Sequence, residues 1–350
     1  MKLDRPVIDG HVHLEKWFDE NGKDFFDGFD EMQNARGLKA MNIAALPIGE
    51  RDVSNNIMAA FYKLHNPSAF ACGGITYPEY PVKALPDGAD PLTQYRELME
   101  IGFDGMKNLE TKPEYHKQIA MPPDSDIFAP YFAQLEKDGT HLLWHVCDPE
   151  TFWDINRISK EHYDNGWYYG DGSYASNTEV YNQVFNVLKR HPKLHCTFAH
   201  FFFYSESPEK LEALFAEYPN VGVDITPGSE MYESFAARYD FYREFFIRYA
   251  DRISFGTDST FPGESEWLSD AVFKFLTTDE TFELYGVKGR GLKLPEDVCA
   301  RIMVENFRRN YAETPRPVNK AALKRYIEKY AGWIRDKDVY DRIAALSGSL

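Results

Sequence analysis

The first residues whose type and spacing could do chemistry are His11 and His13, in the segment IDGHVHL. Residues two apart on a β-strand face the same side, so both imidazoles would point one way. His145 in WHV, His200 in FAH and Asp258 in FGTDS follow at wide intervals. Imidazole nitrogens and carboxylate oxygens are the donors that a zinc-like dication takes. Alone, His11 and His13 read equally well as two polar strand residues. What raises them is the kind of element that ends at each of the other positions.

Eight short apolar runs recur along the chain: Arg5–Leu14, Asn42–Gly49, Ser68–Tyr77, Gly102–Glu110, Thr140–Cys147, Lys193–His200, Asn220–Pro227 and Arg252–Ser259. Short runs rich in Val, Ile and aromatics are what a strand buried on both faces needs. Between them Pro91–Met99, Ile127–Lys137, Thr178–Arg190, Pro208–Tyr218 and Phe235–Ala250 carry apolar residues near helical spacing. Alternating strands and helices predict a parallel sheet, and this number of strands predicts a closed (β/α)8 TIM barrel. An open doubly wound sheet would usually carry a glycine-rich phosphate loop after its first strand, and none is present. The barrel domain is expected over 1–314. Two further helices, Asn319–Trp333 and Asp336–Leu346, form a C-terminal extension over 315–350, expected to pack on the barrel or serve an oligomer.

In a barrel, chemistry sits at the C-terminal ends of the strands. His145, His200 and Asp258 end the fifth, sixth and eighth runs, so all should meet His11 and His13 at one mouth. Lys107 is expected to end the fourth strand and Asp224 the seventh. Asp9 lies one layer below His11, as a hydrogen-bonding support, and Glu15 reads best as a surface acid. His141 and His145 on one strand would lie about 13 Å apart, so His141 cannot reach the mouth; His195 is likewise structural. The stretch from Asp148 to Asn177, with FWDINR and GWYYGDGSY, is too long for a plain connection, and loops of that length are commonly functional.

Composition narrows the partners. The chain has 350 residues, 43% hydrophobic and 27% charged, which excludes a disordered or collagen-like polymer. With 55 acidic against 39 basic residues the net charge is -16, a surface that repels nucleic acid and anionic membranes. An anionic substrate would need a local cluster of cations. Four scattered cysteines without a CxxC argue for reduced thiols and against a structural zinc knuckle. With no signal-like apolar stretch at the start and no membrane span, a cytoplasmic protein is expected, a homodimer acting on a small molecule.

IDGHVHL, WHV, FAH and FGTDS, in this order and spacing, resemble the amidohydrolase superfamily, and most of all its amidohydrolase-related branch of metal-dependent hydrolases and non-oxidative decarboxylases. Glu296–Ala312, with Asn306, is similar to the helix that closes that barrel. The resemblance spans about residues 5 to 312. It implies His11, His13 and His145 as metal ligands and Asp258 as ligand and general base. His200 would be a catalytic hydrogen-bonding group in one-metal members, or a ligand in two-metal members. It implies one divalent ion, zinc or else manganese, with Lys107 binding substrate rather than bridging two metals as a carboxylated lysine. Asp224 would support a histidine from behind. Three histidines and one carboxylate leave a dication near +1, a charge that lowers the pKa of bound water toward about 7.

Substrate clues are fewer. Arg51 and Arg157 follow the second and fifth strands and could clamp a carboxylate. Trp153, with Phe152, Trp167–Tyr169 and Phe201–Tyr204, could wall a pocket for a flat ligand or simply be core. The expected reaction is hydrolysis of an ester, lactone or amide; the alternative is metal-dependent decarboxylation of a small, aromatic carboxylic acid. A barrel that only binds a metabolite would have lost one of the ligand positions, and all are present.

Overall fold

The computed structural model describes residues 2–17, 25–228, 230–348 and 350. Each of the eight apolar runs overlaps a strand: β1 Ile8–Val12, β2 Ala40–Ala44, which begins two residues before its run, β3 Phe70–Gly73, β4 Gly105–Thr111, β5 Leu142–Val146, β6 Cys196–Phe198, β7 Val221–Asp224 and β8 Ile253–Ser254. They pair in sequence order, each parallel to the next. Closure comes from the segment after β8. A parallel bridge joins Val12 to Ser259, and His13 N donates to Ser259 O at 2.8 Å. This is the (β/α)8 TIM barrel.

The strands are shorter than the runs because the flanking residues leave the ladder as loops. β4 differs most. It continues to Thr111, so Lys107 is its third residue and lies inside the barrel rather than at a strand end. The reason is a register shift between Asn108 and Thr111 that prolongs the pairing with β5.

The helices follow their local signals. Pro91–Ile101 starts with Pro91 in the first turn, where its missing N–H goes unneeded, and Asp90 accepts from Thr93 N at 3.1 Å. It ends at Gly102, whose φ of +107 suits glycine; a Cβ there would stand 2.3 Å from Pro317 O. Phe235–Ala250 is not one helix. It breaks at Arg238 (φ -122, ψ 45) into Met231–Ala237 and Tyr239–Arg248. The break lets both Phe235 and Phe246 pack on Phe275, with ring centroids 5.3 and 5.4 Å away. Glu296–Asn310 contains one π-turn, Arg301–Glu305, at which Ile302 O accepts Phe255 N. Asn306 Nδ2 donates to Ala250 O and Ile253 O, fixing the start of β8.

Trp144 is fully buried on the outer face of β5, stacked on Phe132 at 5.3 Å, and its indole N–H donates to Thr111 Oγ1. Truncation there would cost about 3–5 kcal/mol. An antiparallel hairpin, β9 Thr281–Leu284 and β10 Val287–Arg290, turns at Tyr285 and Gly286, both at positive φ. The tail helices are Lys320–Tyr330 and Lys337–Ser347. Tyr330 Oη donates to Glu97 Oε2 at 2.8 Å, and Arg335 N donates to Asp52 Oδ2 at 2.9 Å, so the tail is fastened to the barrel's outside and to the loop after β2. All four cysteines are buried and free. Among the described residues no helix is long and apolar enough to cross a membrane.

Candidate metal centre

Strand parity sets the site. Asp9 and His11 share one face of β1 and His13 follows just past its end, all three buried. Asp258 is brought to them by the FGTDS segment, whose backbone wraps β1: Asp258 N donates to His11 O at 2.8 Å, and Thr257 Oγ1 donates to Asp9 Oδ2 at 2.7 Å. Gly256 permits this approach, since a Cβ there would lie 2.9 Å from His11 Cβ. Burial pushes the Asp9 carboxyl up to about 7, against the hydrogen bonds from Thr257.

The mouth is built on left-handed backbone at residues other than glycine. Cys147 (φ 67), His200 (φ 54) and Asp258 (φ 59) each adopt it just after a strand. Such conformations cost about 1–3 kcal/mol each and persist where the surroundings fix them, commonly at functional sites.

The proton inventory is decisive. His11 Nδ1 faces Asp224 Oδ2 at 2.8 Å and His13 Nδ1 faces Ala44 O at 2.5 Å. His200 Nδ1 lies 3.2 Å from Thr226 O. Carboxylate and carbonyl oxygens only accept, so each Nδ1 carries the hydrogen and each Nε2 a lone pair. Those lone pairs converge. His11 Nε2 and His13 Nε2 are 3.1 Å apart, and Asp258 Oδ1 is 2.8 Å from His13 Nε2 and 3.3 Å from His11 Nε2. His200 Nε2 lies 3.6 Å from Asp258 Oδ2. Among the described residues, His11, His13 and Asp258 have ligating atoms within 4.8 Å of one another. Lone pairs facing a carboxylate at these distances repel unless a cation stands between them, and two imidazoles with a carboxylate are a donor set that fits a divalent ion.

The charges agree. Burial and Lys107 press the His11 imidazole down to about 4, keeping it neutral. Burial would raise Asp258, but His11, His13 and His200 outweigh it and hold the carboxyl well below the usual range. Asp224 is likewise buried yet lowered, by His11, His200 and Thr226. Lys107 Nζ donates to His11 Nε2 at 2.9 Å, and burial lowers the ammonium to about 8 against the pull of Asp258 and Asp224.

His145 is in β5 beside this group, its ring centroid 4.9 Å from that of His200, but its Nε2 faces Asp148 Oδ1 at 3.4 Å rather than His11, His13 or Asp258. Of the expected substrate residues the structure brings Lys107 to the histidines, but not Arg51, Arg157 or Trp153. Arg51 is paired with Glu15 in a cleft of about 960 Å³ that Tyr80, Tyr115 and Arg335 also line. Arg157 is 44% exposed and paired with Glu206. Trp153 donates its indole N–H to Ala175 O and packs on Tyr169. The FFFY segment divides: Phe201 and Phe202 are core, whereas Phe203 stacks on His200 at 5.2 Å and lies 5.6 Å from His145. Asp148, Lys112 and Thr226 were not among the residues expected here, and Tyr169 was expected only as a pocket wall. For Asp148 the available signal was the Asp-Pro pair directly after WHVC, a turn signature closing a strand.

A family model described as amidohydrolase matches residues 8–312. The chain belongs to this amidohydrolase family. No curated protein matches it. Among solved structures, a TIM-barrel protein of Bordetella bronchiseptica is 16% identical, with a TM-score of 0.54 over 87% of this chain and 98% of its own. A dihydroxybenzoic acid decarboxylase from Polaromonas, solved with manganese and the inhibitor 2-nitroresorcinol, is 14% identical, with a TM-score of 0.52 over 89% of this chain and 97% of its own. A Pseudomonas putida protein provisionally named 2-pyrone-4,6-dicarboxylic acid hydrolase is 12% identical, with a TM-score of 0.50 over 87% and 96%. At these identities the amidohydrolase barrel is what is shared.

Proposed function

We propose that this amidohydrolase is a metal-dependent hydrolase of an ester, lactone or amide in a small organic substrate. The observation that carries the reading is the convergence of the His11, His13 and His200 Nε2 lone pairs on the Asp258 carboxylate. His11, His13 and Asp258 would hold one divalent ion, zinc or manganese, with His145 completing the set from β5. When bound, the ion supplies Lewis acidity, lowering the pKa of water and polarising a carbonyl. Asp258, with a side chain 33% exposed, meets solvent and can take a proton from the attacking water. His200, its Nδ1–H held by Thr226 O, presents a bare Nε2 that can receive the proton from Asp258 and pass it on to the leaving group. Asp224 keeps the His11 hydrogen on Nδ1, and Phe203 shields His145 and His200 from one side.

A second reading is decarboxylation of an aromatic acid. It is favoured by the likeness to the manganese-containing decarboxylase and by the aromatic side chain over His145 and His200. Asp258 and His200 would then deliver a proton to ring carbon, and Lys107 or Arg51 would meet the substrate carboxylate. Incubation with lactones, esters and hydroxybenzoic acids in water labelled with heavy oxygen separates the two. Label in the product acid without carbon dioxide supports hydrolysis. Metal-dependent carbon dioxide release, with solvent hydrogen on the product carbon, overturns it.

A further inference from the structure

The turn after β5 holds a buried carboxylate that the mechanism above does not use. The chain leaves β5 at Val146, and Cys147 enters the left-handed region at φ 67, supported by Asn177 Nδ2 donating to its Sγ at 3.2 Å. That single left-handed residue turns Asp148 back toward the strand. Asp148 is 4% exposed. Lys112 Nζ donates to both its oxygens, at 3.2 and 3.1 Å, and Tyr169 Oη donates to Oδ2 at 2.8 Å. His145 Nε2 takes the remaining side, 3.4 Å from Oδ1. A buried carboxylate whose oxygens already accept from Lys112 and Tyr169 is held rigidly and offers an acceptor to His145. The His145 hydrogen therefore belongs on Nε2, and the lone pair on Nδ1, which has no partner among the described residues.

Tyr169 belongs to the long aromatic segment after β5. Its ring meets Trp153 at 4.9 Å and Tyr174 at 4.9 Å, and Lys112 also stands 5.9 Å from the Trp167 ring. One carboxylate thus joins the segment to the candidate metal centre. We infer that Asp148 is a positioning residue. It sets the proton and the rotation of His145, and Tyr169 makes that setting depend on the folded aromatic segment. The inference rests on the reading that His145 completes the metal donors.

The test uses the full chain stripped of metal and titrated with cobalt(II), reading affinity by chelator competition and donor geometry by visible absorption. Asp148→Asn keeps the shape and removes the charge; affinity should fall by about 10–100-fold with an altered spectrum, the usual effect of removing a carboxylate behind a ligating histidine. Tyr169→Phe, which leaves the Asp148–Lys112 pair intact, should shift both readouts the same way by less. The double variant should bind no more weakly than Asp148→Asn alone. A pair that is merely structural would lower the melting temperature and leave the cobalt spectrum of the folded variant unchanged, which overturns the inference. If Asp148→Asn does not fold, Tyr169→Phe decides: a wild-type spectrum and affinity overturn it. His145→Asn is measured alongside. If it binds cobalt as wild type does, the place of His145 among the donors fails; if it is impaired while Asp148→Asn is not, only the role of Asp148 fails.

Discussion

His141 and His145 lie four residues apart, just before and within β5, and burial drives both imidazoles down to about 3. By titration alone they are indistinguishable. Their company differs. His141 Nε2 meets the Thr197 hydroxyl at 2.9 Å, its ring packs on Tyr311 at 4.8 Å, and its Nδ1 has no partner among the described residues. His145 has a carboxylate on one side and a second histidine on the other. A depressed histidine pKa therefore reports burial. The converging carboxylates and lone pairs at the C-terminal end of the barrel are what distinguish chemistry from packing.

The largest test of that contrast is Asp258→Asn. Turnover of whichever substrate the labelled-water screen identifies should fall by about 10²–10⁴-fold, the range for removing a general base. A variant with wild-type turnover would erase the difference between the two ends. His200→Asn should lower turnover by about 10²–10³-fold, as losing an oriented hydrogen-bonding group does. Elemental analysis should still find its metal, since His11, His13 and Asp258 are untouched.

His141 should matter to stability and not to turnover. Its folded pKa lies below the usual 6.5, so the unfolded chain binds the proton more readily. Stability tied to this histidine is present above about pH 6.5 and is lost as pH falls from there toward 3. His141→Leu should flatten that acid limb in melting temperature measured against pH, with metal content unchanged; a limb as steep as wild type would show that other groups set it. The smallest effect belongs to Arg157→Ala. Exposed ion pairs contribute about 0–1 kcal/mol, so melting temperature and metal content should hardly move. A large rise in KM would instead return Arg157 to the substrate.

Much of the fold was legible because buried parallel strands spell continuous apolar runs: six of the eight strands lie inside those runs, and β2 and β4 overlap theirs. Parity on β1 and the ends of β6 and β8 carried His11, His13, His200 and Asp258 to one mouth. The place of Lys107 within β4 rather than at its end was not legible, because an irregular register extends the strand and no local residue type announces such a shift. The helix break at Arg238 was hidden for a related reason: both halves are apolar at helical spacing, and the interruption is set by packing on Phe275. The hairpin at Tyr285–Gly286 was overlooked although TFELYGVKGR alternates around a glycine turn. Asp148 escaped because its partners come from three separate segments. Spacing can align residues along one element, but it cannot pair Lys112, Tyr169 and His145 around a fourth.

The closing bridge from Val12 to Ser259 has a consequence for how the chain is made. His13 and Asp258, 2.8 Å apart in the folded barrel, are separated by 245 positions in sequence. At ribosomal speeds of 5–20 residues per second, ~12–50 s pass between their syntheses. Throughout that interval β1 waits with one edge unpaired. A chain interrupted before β8 would present the open edges of β1 and β7, the kind of surface through which sheets join one another. The last strand is one of the shortest in the barrel, and it is the one that turns an adhesive ribbon into a closed molecule.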